Sequence, residues 1–123
     1  MKATVLLVDD ALFMRTLLKE ILVDQGYEVI GEAENGTEGI EKYDTLRPDL
    51  TFLDVTMGDV NGIEAAKKIK AINPEAKLII CSAVAGQQAY LKEALEIGVA
   101  GVIAKPFSPN MVIQEVEKVL AGN

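Results

Sequence analysis

Leu50-Thr51-Phe52-Leu53 runs directly into Asp54, a short apolar stretch closed by a carboxylate. The same construction recurs three times: Val5-Leu6-Leu7-Val8 runs into Asp9-Asp10, Leu78-Ile79-Ile80-Cys81 into Ser82, and Gly101-Val102-Ile103-Ala104 into Lys105. Runs of this length, rich in branched residues and bounded by polar ones, are the pattern of strands covered on both faces. In an open α/β sheet, ligands bind beyond the carboxyl ends of the strands, so the polar residues placed there are candidates for a site. Three carboxylates, one hydroxyl and one ammonium at strand ends predict a site that binds a divalent cation and handles a phosphoryl group.

Between the strands the period changes to that of helices. Met14, Leu17, Leu18, Ile21 and Leu22 form an i, i+3, i+4, i+7, i+8 series, and Gly26 stops it. A second strand near 27–32 leads to the turn signal Asn35-Gly36 and a helix using Ile40, Tyr43 and Leu46, ended by Arg47-Pro48. After the loop 56–61, Gly62 opens a helix with Ile63, Ala66, Ile69 and Ile72 inward, and Asn73-Pro74 terminates it. The loop 83–88 precedes a helix through Tyr90, Leu91, Ala94 and Leu95, closed by Gly98. Ser108-Pro109 reads as N-cap and first-turn proline of a last helix with Val112, Val116, Val119 and Leu120 inward.

Five strands alternating with five helices predict an α/β chain, a (βα)5 flavodoxin-like three-layer sandwich with a parallel sheet in the order 2-1-3-4-5. Strands 1, 3, 4 and 5 then lie side by side, so Asp9, Asp10, Asp54, Ser82 and Lys105 meet at one edge of the sheet. Any one of them alone would pass for a cap or a solvated loop residue. Their convergence is what points to a site.

Composition narrows the function. The 123 residues are half hydrophobic and read as one domain, residues 1–123, with no linker, repeat or effector domain. No signal peptide or membrane span is expected. A single cysteine, Cys81, sits inside an apolar run and reads as a buried small hydrophobe; it favours a reducing compartment and a cytoplasmic location. Nineteen acidic against twelve basic residues give a net charge of -7, which disfavours nucleic acid and anionic membrane as partners. There is no histidine, which removes imidazole catalysis, histidine metal sites and histidine autophosphorylation together.

The residue types suit the chemistry. Three neighbouring carboxylates repel one another, and Mg²⁺ relieves this by taking one or two directly while keeping waters and a phosphate oxygen in its octahedron. Asp54 is then free to act as nucleophile, because carboxylates serve as covalent acceptors in phosphoryl transfer. The transfer itself depends on positioning and on neutralising the equatorial oxygens, a task that Mg²⁺, Lys105 and the Ser82 hydroxyl can share.

Asp9-Asp10, Asp54-Val55-Thr56-Met57 continuing to Asn61-Gly62, Ser82-Ala83 and Lys105-Pro106-Phe107 together resemble the signature of the receiver domain of two-component response regulators, over the whole chain. The likeness is strongest to stand-alone chemotaxis receivers, through 9–15 and 81–88. The resemblance implies phosphorylation of Asp54 by a sensor histidine kinase, Mg²⁺ on Asp9 and Asp10 with the Thr56 carbonyl as a third protein ligand, a hydrogen bond from Ser82 to the phosphoryl group, and Lys105 paired with it. It also implies a cis peptide at Lys105-Pro106. The implied protein is a monomer that catalyses only its own phosphorylation and dephosphorylation. It signals through a changed surface, to a flagellar motor switch or another output protein, or passes the phosphoryl group onward. Thr56 and Val84 offer no carboxylate or amide to orient water, so slow self-dephosphorylation and a partner phosphatase are expected.

Several positions depart from the family pattern. Gly58 stands where proline is common, Val60 where methionine is common, the loop 83–86 is one residue longer than in chemotaxis relatives, and Val102 replaces a switch aromatic. Two other classes are weighed against the receiver. A Mg²⁺-dependent phosphohydrolase would carry a general acid two residues past Asp54, where Thr56 stands. A flavin or nucleotide binder would carry a glycine-rich loop after the first strand, which is absent.

Overall fold

The computed structural model describes residues 3–55, 57, 60–83 and 88–122. Their elements alternate as β1 (Thr4–Val8), α1 (Leu12–Asp24), β2 (Glu28–Ala33), α2 (Gly36–Leu46), β3 (Leu50–Asp54), α3 (Gly62–Ile72), β4 (Leu78–Ala83), α4 (Gln88–Ile97), β5 (Gly101–Lys105) and α5 (Pro109–Leu120). All neighbouring strands pair in parallel, in the order β2-β1-β3-β4-β5. The (βα)5 architecture and the strand order are those predicted.

Each strand alternates its side chains between two cores. Leu6, Val8, Leu53, Val55, Leu78 and Ile80 face one side, where Tyr43 of α2, Ile63, Ala66 and Ile69 of α3 and Ala94 of α4 cover them. Val5, Leu7, Leu50, Phe52, Ile79, Cys81 and Ile103 face the other, under Leu18, Ile21 and Leu22 of α1 and Val112, Val116 and Val119 of α5. The division follows from connection handedness. The step from β1 to β2 runs opposite to every later one, so a right-handed crossover puts α1 on the face opposite α2, α3 and α4. That reversal leaves a crevice between the carboxyl ends of β1 and β3.

Local signals set the helix ends. Asn35 caps α2 and Asn61 caps α3, each side-chain oxygen accepting from a backbone N–H three residues on, Glu38 at 2.8 Å and Glu64 at 2.9 Å. Ser108 Oγ accepts from Met111 N, and Pro109 fills the first turn of α5. Gly26 takes the left-handed conformation (φ 91°) just beyond α1, where a side chain would be strained. The Lys105-Pro106 peptide is cis.

Two apolar residues of the predicted helices are exposed rather than buried. Leu95 is 70% exposed, because Ala94 and Ile97 take the core-facing positions of α4 and Leu95 lies off that line. Leu46 is 38% exposed at the last turn of α2, over the edge strand β2, where the covering layer runs out. Tyr90, placed on the same predicted helix as Leu95, lies outside the residues whose side chains are described. The outer edge of the sheet is occupied by charge: Ala33 gives its carbonyl to Asp9 N on β1's side, so Glu32 turns its own carbonyl outward, and Lys42 Nζ donates to it. No helix of the described residues is long and apolar enough to cross a membrane.

Candidate functional site

The ends of β1 and β3 bring Asp9, Asp10 and Asp54 together, each offering a carboxylate oxygen within 4.8 Å of the others. Asp9 is buried and held on every side. Its N–H donates to Ala33 O at 3.1 Å, its Oδ1 accepts from Ala11 N at 2.9 Å, and its carbonyl accepts from Arg15 Nη1 at 2.7 Å. Asp10, the next residue, is exposed and so faces the mouth of the crevice. Asp54 is the last residue of β3, buried and in register with Cys81 of β4, and the following Val55 N donates to Cys81 O. The Asp54 carboxylate is therefore carried on the sheet itself.

Lys105, the last residue of β5, reaches across β4. Its Nζ lies 3.0 Å from Asp54 Oδ1 and 3.3 Å from Asp9 Oδ2. Burial works against its charge, but the hydrogen bond and charge of Asp54, with Asp9 behind, outweigh it and hold its pKa above the ordinary lysine value. Ser82 is buried on β4, one residue beyond the position opposite Asp54 and in register with Ala104, beside Lys105. All five predicted side chains thus lie at one end of the sheet. Thr56, Gly58 and Val84 lie outside the described residues, as does most of the loop 83–88. Val60 packs partly buried at the base of α3, and Val102 on β5 packs against the core that contains Ala94.

The donor set fits a hard divalent cation: oxygen only, with no soft ligand in the cluster. Charge agrees, since three carboxylates against the one ammonium of Lys105 leave two negative charges, which the two positive charges of such an ion offset. Cys81, though adjacent, belongs to the core; burial pushes its thiol up to about 12 and keeps it protonated.

Backbone approach fixes the floor of the crevice. A Cβ on Gly62 would sit 2.3 Å from Asp54 O, and Gly62 N donates to Val55 O. Only glycine lets α3 start that close to β3. Arg15 is a charged residue beside the site whose burial the sequence reading missed. It is 7% exposed on α1, where its guanidinium joins Asp9 O to Glu32 Oε1, 3.0 Å from Nε. The signal was present, because Arg15 stands at i, i+3 and i+7 with Leu18 and Leu22, on the face that enters the core.

Comparison with known proteins converges on this geometry. Residues 5–117 match the family described as the response regulator receiver domain. The chemotaxis protein CheY of Thermotoga maritima is 52% identical over 94% of this chain and 95% of its own length, and that of Bacillus subtilis is 46% identical over 94% and 96%. Among solved structures, the CheX-CheY-BeF3-Mg complex of Borrelia burgdorferi superposes with a TM-score of 0.91 at 32% identity, covering 96% of this chain and 89% of that one. With the fold, the acidic cluster and this similarity agreeing, the chain belongs to the response regulator receiver domain family and is closely related to its CheY members.

Proposed function

We propose that this receiver takes a phosphoryl group on Asp54 from a CheA-like sensor histidine kinase and works in chemotaxis. The observation that carries the reading is the Lys105 ammonium bridging Asp54 and Asp9 beside the exposed Asp10. A family member of this kind signals through a phosphorelay with a cognate histidine kinase. The finer assignment, to a chemotaxis kinase and a flagellar motor switch protein, rests on the CheY relatives. We place the protein in the cytoplasm as a monomer whose output is its own changed surface, with a phosphatase as a further partner.

In the proposed reaction a carboxylate oxygen of Asp54 attacks phosphorus. The O–P bond forms as the N–P bond of the kinase phosphohistidine breaks, and the imidazole leaves with the electron pair. Mg²⁺, when bound by Asp9, Asp10 and Asp54 with the Thr56 carbonyl, supplies positive charge to the transferring oxygens. Lys105 follows the product, since its ammonium loses one carboxylate charge and gains a phosphoryl oxygen. Ser82, on the neighbouring strand, is assigned to donate its hydroxyl to another oxygen and so carry the change into β4.

Incubation with acetyl phosphate and Mg²⁺ followed by intact mass measurement tests the reading. We expect one phosphoryl adduct, absent in Asp54→Asn and when Mg²⁺ is chelated. An adduct of equal yield on Asp54→Asn would overturn the assignment of the acceptor.

A further inference from the structure

Asp9 and Asp10 share one peptide group, and the orientation of that group decides where both carboxylates point. Its oxygen is the atom that Arg15 Nη1 grips at 2.7 Å. The same guanidinium is fixed from behind by Glu32 Oε1 at 3.0 Å from Nε. Glu32 belongs to β2, and the next residue, Ala33, accepts from Asp9 N. Two consecutive residues of β2 therefore hold the two ends of Asp9, one directly and one through Arg15. Both the guanidinium and the Asp9 carbonyl are buried in this contact.

From this we infer that Arg15, locked by Glu32, is a positioning residue for the cation site: it sets the Asp9-Asp10 peptide so that both carboxylates converge with Asp54. The inference rests on the receiver reading above and adds to it a residue that touches neither the metal nor the phosphoryl group.

The role has a sign that separates it from simple electrostatics. As a charge, Arg15 repels a cation, and removing it should tighten Mg²⁺ binding. As a clamp, it preorganises the ligands, and removing it should weaken binding. Outer-shell partners of metal ligands are commonly worth about 10-fold to 100-fold in affinity. Lysine cannot replace the clamp, because a single ammonium cannot reproduce the fork that spans Asp9 O and Glu32.

The test is Mg²⁺ titration by calorimetry on the purified chain, with urea unfolding in chelator as a separate measure of fold. Arg15→Met and Arg15→Lys should each weaken Mg²⁺ binding by about 10-fold or more, and Glu32→Ala should weaken it in the same direction. Lys19→Met, which removes the exposed lysine 3.5 Å from Glu32 and leaves Arg15 in place, should bind as wild type. Unchanged or tighter Mg²⁺ binding by Arg15→Met overturns the inference. Should that variant not fold, Arg15→Lys carries the test with the same two outcomes. If the wild-type chain itself binds no Mg²⁺, the receiver-site reading fails and takes the inference with it, whereas a binding wild type with unaffected variants overturns the inference alone.

Discussion

Lys105 and Asp54 are 51 residues apart in the chain and 3.0 Å apart in space, and the same ammonium reaches Asp9 at 3.3 Å. The contact makes Lys105 a counter-ion to the acidic cluster even without metal. Lys105→Met should therefore cost about 1–3 kcal/mol in the absence of Mg²⁺, below the roughly 3–5 kcal/mol of a fully buried pair because the lysine is partly exposed. Saturating Mg²⁺ should recover part of it. Urea unfolding with and without the ion checks this, and an undiminished midpoint in chelator would mean the ion pairs contribute nothing. The pH dependence follows from the raised pKa of Lys105: its stabilisation is complete below the ordinary lysine value and is lost only as pH climbs through the higher folded value.

The metal should stabilise the fold as a ligand does. At a Mg²⁺ concentration 100 times its Kd the gain is about 2.7 kcal/mol. Asp10→Ala, at the exposed mouth of the cluster, should remove most of it while leaving the metal-free stability near that of the wild type. A melting temperature indifferent to tens of millimolar Mg²⁺ in the wild type would contradict this.

Gly62→Ala should act on Asp54, the proposed acceptor, through its backbone. The added Cβ meets Asp54 O at 2.3 Å and Asp54 C at 2.8 Å, atoms of a strand that cannot move aside cheaply. We expect a loss of about 1–3 kcal/mol together with slower phosphoryl uptake from acetyl phosphate. Wild-type stability and rate would show that α3 can shift away.

Cys81 should be chemically silent in the folded protein. Burial raises its thiol from 9.0 to about 12, so the folded state holds a proton that the unfolded chain releases. Stability should accordingly fall as pH rises from about 9 towards about 12, and Cys81→Ala should flatten that fall. A thiol reagent should label Cys81 only at the rate of unfolding. Rapid labelling at neutral pH would show an open path to the core.

Val102 concerns the output. It is partly buried on β5 against the core that holds Ala94, Ile97 and Val99, and a valine offers less area than an aromatic ring to whatever space the active state opens. Val102→Tyr should enlarge the response of the amides of 91–97 to beryllofluoride, measured as chemical-shift change. An identical response in both proteins would separate this position from the coupling.

The strands and their terminal residues were legible because a sheet covered on both faces needs unbroken apolar runs, and polar residues ending such runs stand out. The five convergent side chains followed from strand order alone. Arg15 was harder to see, because an arginine among leucines on a helix reads as a solvated neighbour until a buried acceptor for it is known. Here that acceptor is a backbone carbonyl, which no residue type advertises. On α4 the pattern named Ala94 and Leu95 side by side without choosing between them, and only the packing shows that Ala94 is buried and Leu95 exposed. At the end of α2, Leu46 shows that an apolar side chain can mark the limit of a layer rather than its interior.

An unpaired strand at the border of a sheet is a template on which a second chain can polymerise. In this protein β2 occupies that border, and the carbonyl it turns outward at Glu32 is already engaged by the ammonium of Lys42, with Lys19 close to the carboxylate of the same residue. An incoming strand would have to strip a lysine from its acceptor and bury that charge before its first main-chain hydrogen bond could form. The β2 border is thus guarded against accretion by the two lysines that stand over Glu32.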